Sequence, residues 1–157
     1  MKRIMSIICV LSAALPLMAQ APEKMSVDEF FEKYSGTAAT ESTMLNQVTL
    51  KSLAERKGMS RTTAKVLKGL DRIWVINATS DNEEFLEDAR LTVRSDKDYQ
   101  LVSTSSKDGS QASFYLKERS PKSLILLSVS YGTVSFMEIR GEFDILDFGS
   151  LSEIGLH

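Results

Sequence analysis

The chain has 157 residues, with 19 Lys and Arg against 21 Asp and Glu, and one His, one Cys and one Trp. One His and one Cys leave almost nothing from which to build a zinc site, a Cys-His pair or a Ser-His-Asp triad. A net charge of −2 carries no global basic signal of a nucleic-acid binder, and the length predicts one domain.

Met1 to Ala19 divides like a secretory signal: Lys2 and Arg3 as the positive start, then an uncharged, mostly apolar run from Ile4 to Met18. That run is shorter than the roughly 20 residues of a transmembrane helix, and Pro16 breaks it before small residues. Two cuts are open, after Ala19 or after Ala21. The second would leave Pro22 just past the scissile bond, without the N–H and freedom an extended substrate offers. The reading is therefore cleavage between Ala19 and Gln20, a short lead-in over 20–25 and a single domain over 26–157. Removing 19 of 157 residues leaves 138, with 17 basic and 21 acidic side chains, and Cys9 goes with the leader. No disulfide is then available, so a packed core must carry stability. Cys9 also sits mid-run after Ile7-Ile8, the wrong place for lipid attachment. The protein is expected to be periplasmic or extracellular, with neither lipid anchor nor transmembrane span after processing.

Ser26-Val27-Asp28-Glu29 reads as a capping box for a short helix burying Phe30, Phe31 and Tyr34 and ending at Ser35-Gly36. Alternation predicts a strand over Thr43–Thr49, then a helical turn from Leu50 to Lys57 stopped by Gly58. Ser60 caps a helix whose Thr63, Val66, Leu67 and Leu70 share one face. Ile73-Trp74-Val75-Ile76 reads as a strand buried on both faces. Asp81 or Asn82 caps a further helix with Phe85, Leu86, Ala89 and Val93 inward. Its acids come early and its arginines late, the order a helix dipole favours.

The C-terminal half reads as a β-meander. Asp108-Gly109 is a hairpin signal, expected to place Leu101, Ala112, Phe114 and Leu116 on the core face and Tyr115 on the outer one. Tyr131-Gly132 turns a second hairpin. Pairing Ser130 with Thr133 aligns Ile125, Leu127, Val129, Val134 and Phe136 on the core face. The reverse side is Ser/Thr-rich near the turn and apolar at the base, around Leu124, Leu126, Met137 and Ile139. The tail from Phe143 to Leu151 is the expected cover for that base. The fold class is thus α+β, an antiparallel meander sheet with helices mainly on one face.

Three stretches carry a family resemblance: Phe30-Phe31-Glu32-Lys33-Tyr34, the step Leu67-Lys68-Gly69-Leu70-Asp71-Arg72-Ile73, and the ending Ile139-Arg140-Gly141-Glu142-Phe143-Asp144-Ile145. Over roughly residues 26–154 the pattern is similar to domain-of-unknown-function family 4252, exported proteins found mainly in the Bacteroidota. The resemblance implies an exported α+β domain and brings no activity or catalytic residue. Members often look like lipoproteins, and this chain lacks the cysteine that would do that.

No catalytic, cofactor-binding or metal-ligating set emerges. His157 ends the chain, where a general base is rarely held in position. Asp81, Glu83, Glu84, Glu87 and Asp88 lack the spacing and glycine of a calcium loop and suit the first turns of an amphipathic helix. Glu138, Glu142, Asp144 and Asp147 straddle a strand end, where Asp144 serves as a cap. No serine sits in a known nucleophile motif, and the glycines are scattered singly. The Asn77-Ala78-Thr79 glycosylation match reads as chance. The basic run Lys51, Arg56, Lys57, Arg61, Lys65 and Lys68 is balanced by acids later in the chain and does not predict a nucleic-acid partner. Trp74 is read as core.

The expectation is a non-enzymatic domain that binds a protein or envelope component, with Tyr115 and Tyr131 as candidate surface residues. The alternatives are a hydrolase using carboxylates and serines, or a structural envelope subunit. A convergent pocket holding Glu138 or Asp144 beside a buried serine would mark the enzyme. An exposed apolar or aromatic sheet face would mark the binder.

Overall fold

The structure is a computed structural model and describes residues 24–148. The expected cleavage point at Ala19 and Gln20, and the tail residues Leu151 and His157, lie outside the described residues. In chain order the elements are α1 (Val27–Tyr34), β1 (Thr40–Asn46), α2 (Gln47–Ala54), α3 (Arg61–Gly69), β2 (Leu70–Thr79), α4 (Glu83–Ser95), β3 (Gln100–Lys107), β4 (Ser110–Lys117), β5 (Lys122–Ser130) and β6 (Thr133–Gly141). The six strands form one antiparallel sheet in the order β1-β2-β6-β5-β4-β3. Together they make a single α+β domain.

Helix starts follow local chemistry. Ser26 and Glu29 close a reciprocal capping box, Ser60 caps α3 and Asn82 caps α4. The predicted strand over 43–49 is displaced: the strand is Thr40–Asn46, and Val48 and Thr49 belong to α2. The Asn46 side chain accepts from the Thr49 N–H at 3.0 Å, so a cap starts the helix where alternation alone continues the strand.

The register places alternate residues on two faces, and both are core. On the first, α1 and α4 bring Phe30, Phe31, Tyr34 and Phe85 onto Ile76, Ile125, Leu127 and Phe136. On the second, α2 and α3 bring Leu50, Ala54, Val66 and Leu67 onto Ile73, Leu116, Leu124 and Ile139. The helices therefore divide two and two instead of gathering mainly on one face. The tail contributes in part: Phe143 is buried in the second cluster and Phe148 packs against it, while Ile145 and Leu146, expected in the same cover, are exposed.

The Ser130–Thr133 pairing is as expected. The face assignment of the β3–β4 hairpin is corrected. Tyr115 pairs with Ile125 and shares the α1/α4 face, while Phe114 pairs with Leu126 on the other. The Glu118–Pro121 connection is no two-residue turn, so no turn rule fixes this register from sequence. Leu101 also departs from Phe114, because a bulge at Val102 makes it pair with Tyr115.

Candidate functional site

Two regions gather side chains that could do something chemical. The first lies at the base of the α1/α4 face, where Arg72 of β2 stands opposite Arg140 of β6, and Trp74 opposite Glu138. Glu138 is fully buried. Its Oε2 accepts from Arg72 Nε at 2.9 Å and Nη2 at 2.7 Å. Its Oε1 accepts from Arg140 Nε at 2.9 Å and from Ser123 Oγ at 2.8 Å. Asp28 of α1 closes the group from above, accepting from Arg140 Nη2 at 3.2 Å and from Arg72. Tyr99 Oη donates to Ser123 Oγ at 2.7 Å.

Burial pushes the Asp28 carboxyl up, but hydrogen bonds from Arg72 and Arg140 outweigh it and hold the group below its ordinary value. Burial pushes the Tyr99 phenol up to about 12, and the Ser123 hydrogen bond only partly offsets this. At Arg140, burial works against the charged form, yet Glu138 and Asp28 raise its affinity for the proton overall.

Ser123 and Glu138 satisfy half of the enzyme criterion, a carboxylate beside a buried serine. The adjacent cleft of ≈300 Å³ is lined by Tyr99, Lys117, Arg119, Ser120, Pro121, Ser123 and Arg140, and Glu138 does not open into it. A carboxylate has about four acceptor positions, and all are engaged by Arg72, Arg140 and Ser123. What the group does is fix a crossing. Directly beside it Gly141 has φ 145°, and a Cβ there would lie 2.5 Å from the Gly69 carbonyl oxygen. A Cβ on Gly69 would likewise strike the Glu142 carbonyl oxygen, and the Glu142 N–H donates to the Gly69 oxygen at 2.8 Å. Two of the stretches that carry the family resemblance thus pass against each other at glycine distance, locked by their own arginines. Sequence reading missed Arg72, Arg140 and Ser123, and took Tyr99 for a surface aromatic, whereas it is half-buried and bonded to Ser123. A signal existed: the Ser130–Thr133 register puts Glu138 on the core face with Ile125 and Phe136, so it needed partners.

The second region is the upper half of the other face. A row across the sheet reads Glu41, Asn77, Ser135, Ser128, Ala112, Ser105, and the row above it continues Thr79, Thr133, Ser130. Asn77, Ser128, Ser130 and Ser135 lie mid-sheet and yet are only partly buried, because the α2/α3 cluster stops at the aliphatic base below them. Toward β1 this surface carries a depression of ≈350 Å³. Toward the other side it ends at β3, an edge strand in which all eight residues are exposed. Leu101 and Val102 stand out there, at 56% and 44% exposure.

Of the two candidate tyrosines, only Tyr131 lies at this surface. It is 80% exposed in its turn, lies over Gly109, and its hydroxyl donates to the Asp108 carbonyl, tying the two hairpin tips together. Tyr115 is half-buried and packs against the α1/α4 core. Trp74 stacks on Phe31 at 4.4 Å and 15° and donates to Ser42 at 3.0 Å, half-buried under Arg72. The acids of α4 hold helices together: Glu84 and Asp88 each accept from Lys33 of α1 at 2.7 Å. Asp144 accepts from the Leu146 N–H at 3.0 Å, the capping role expected of it. Among the described residues, no His, Cys, Asp and Glu cluster could hold a metal ion, and no helix is long and apolar enough to cross a membrane.

Comparison with curated proteins and with solved structures finds no match. Residues 34–151 match the family described as domain of unknown function DUF4252. That span includes both crossing segments and the whole sheet, while all of α1 before Tyr34 falls outside it. The chain belongs to the DUF4252 family.

Proposed function

We propose that this chain is an exported, non-enzymatic binding domain that takes an extended segment of a partner protein as an added strand along β3. The observation that carries the reading is the state of that edge. β3 has eight residues, all exposed, with no proline and with one charge, Lys107, at its turn end. Edge strands are ordinarily shortened, charged or covered, because their free N–H and C=O groups recruit other chains. At the opposite edge, α2 lies against β1, and Leu45 of β1 packs into the second cluster. Main-chain hydrogen bonds to β3 would supply affinity, and Leu101 and Val102 the side-chain pockets. Tyr131 and the hydroxyl rows border the same surface, where Ser and Thr hydroxyls pair with a partner at little desolvation cost. The leader over Met1–Ala19 supports an envelope location.

A photoreactive residue at Val102 should crosslink to a defined envelope protein, and one at Glu87 on the solvent side of α4 should not. Adding Leu101→Lys should abolish the Val102 adduct. Equal labelling from both positions, or none from Val102, would remove the reading. The hydrolase alternative has one observation in its favour, the 2.8 Å Ser123–Glu138 hydrogen bond. A fluorophosphonate probe separates the two: the binding reading expects Ser123 to stay unlabelled.

A further inference from the structure

The outer layer formed by α2 and α3 is charged in a way that the fold does not require. Residues 47–69 contain Lys51, Arg56, Lys57, Arg61, Lys65 and Lys68 against the single acid Glu55, in a chain whose net charge is −2. All six cations are exposed. None makes an ion pair with a described residue, whereas Lys33, Arg72, Lys117 and Arg140 all do.

Helix stability does not account for them. Arg61, Lys65 and Lys68 follow one another at i, i+4 and i+7 on the side opposite Val66 and Leu67, so like charges repel along the helix. Arg61 also occupies the first turn of α3, where the dipole favours an acid, and neither α2 nor α3 has an acid in that turn. The same layer leaves Val48 of α2 77% exposed. An acidic polymer would pair with the cations but has no use for that side chain. A bilayer interface takes both.

We propose that the outer surface of α2 and α3 docks on an anionic phospholipid bilayer, with the cations at the headgroups and Val48 entering the interface. Outside residues 47–69 the chain carries 13 basic and 20 acidic side chains, so its positive charge is concentrated in this layer. Docking there leaves β3, at the far edge of the sheet, available at the same time.

The test uses the chain from Gln20 onward, which carries both core clusters, in sedimentation with vesicles. Vesicles of phosphatidylcholine containing phosphatidylglycerol should bind it at low salt, and binding should fall at high salt. Phosphatidylcholine alone should not bind. The variant Arg61→Gln/Lys65→Gln/Lys68→Gln removes exposed charges only and should fold normally. Each charge contributes about fivefold, so its affinity should drop about a hundredfold. Val48→Ser should weaken vesicle binding and leave capture by heparin unchanged. Absence of binding to the anionic vesicles, equal binding to neutral ones, or no effect of Val48→Ser would overturn the proposal, the last in favour of an acidic polymer.

Discussion

On the α1/α4 face, six rings from α1, β2, α4 and β6 interlock, with Phe30 within 5.1 Å of Tyr34, Phe85 and Phe136 and Phe31 stacked on Trp74. Below them every oxygen of Glu138 is engaged. On the α2/α3 face the packing is mainly aliphatic, with Phe143 buried in it and Phe114 and Phe148 at its margins, ends halfway up the sheet and gives way to rows of hydroxyls. The same alternating strands built both. What differs is what stands above them: α1 with three aromatic rings and α4 with Phe85 seal one side, while two basic helices cover only the base of the other. A sheet face that is neither sealed nor apolar is free to meet a partner without first unfolding anything.

The largest losses of stability are expected at the sealed face. Phe30→Ala should cost about 3–5 kcal/mol, read from chemical denaturation. Glu138→Ala should cost a similar amount, about 3–5 kcal/mol, by removing the buried carboxylate and leaving Arg72 and Arg140 facing each other with only the half-exposed Asp28 as a partner. Gly141→Ala should come next, at about 1–3 kcal/mol, since φ 145° and the Gly69 carbonyl both oppose a side chain. Loss of stability with Phe30→Ala and Glu138→Ala, with the hairpin side chains unaffected in spectra, would locate the cooperative core on this face, while Gly141→Ala reports on the crossing between α3 and β6.

Acid sharpens the contrast. Asp28 is raised by burial and lowered more by Arg72 and Arg140; Asp88 is raised by burial and lowered more by Lys33 and Tyr34. Both finish below the ordinary value of 3.8. The unfolded chain therefore binds more protons than the folded one just under that value. The stability these groups contribute is complete above it and is lost as pH falls through their lowered folded values. Asp28→Asn should flatten the acid limb of stability against pH, and an unchanged limb would show that the α1 contact contributes little. The smallest effect belongs to the open side: Tyr131→Ala should leave stability within about 0.5 kcal/mol, checked by thermal unfolding, while weakening partner capture.

Much of this fold was legible, for reasons that can be assigned. Caps at Ser26, Ser60 and Asn82, and two-residue turns at Asp108-Gly109 and Tyr131-Gly132, are local rules, and the elements they bound follow the sequence. Relations across longer connections were not legible. The four residues from Glu118 to Pro121 leave the β4–β5 register open, and the whole assignment of Tyr115 and Phe114 turned on it. Asn46 ended β1 early because one side-chain oxygen outweighed a further alternation. At the candidate site, the hydroxyl patch and Tyr131 were readable from one hairpin. The Glu138 clamp was not, since its donors come from β2, β5 and β6, and only Arg140 is near it in sequence.

β3 and the hydroxyl half of its sheet form the proposed binding surface. Hydrogen exchange of the domain, followed by mass spectrometry with and without solubilised cell envelope, tests it most directly. The expected result is slowed exchange in residues 100–107, with a smaller change over 128–135 and none in α4. Unchanged exchange in β3, or protection confined to α4, would contradict it.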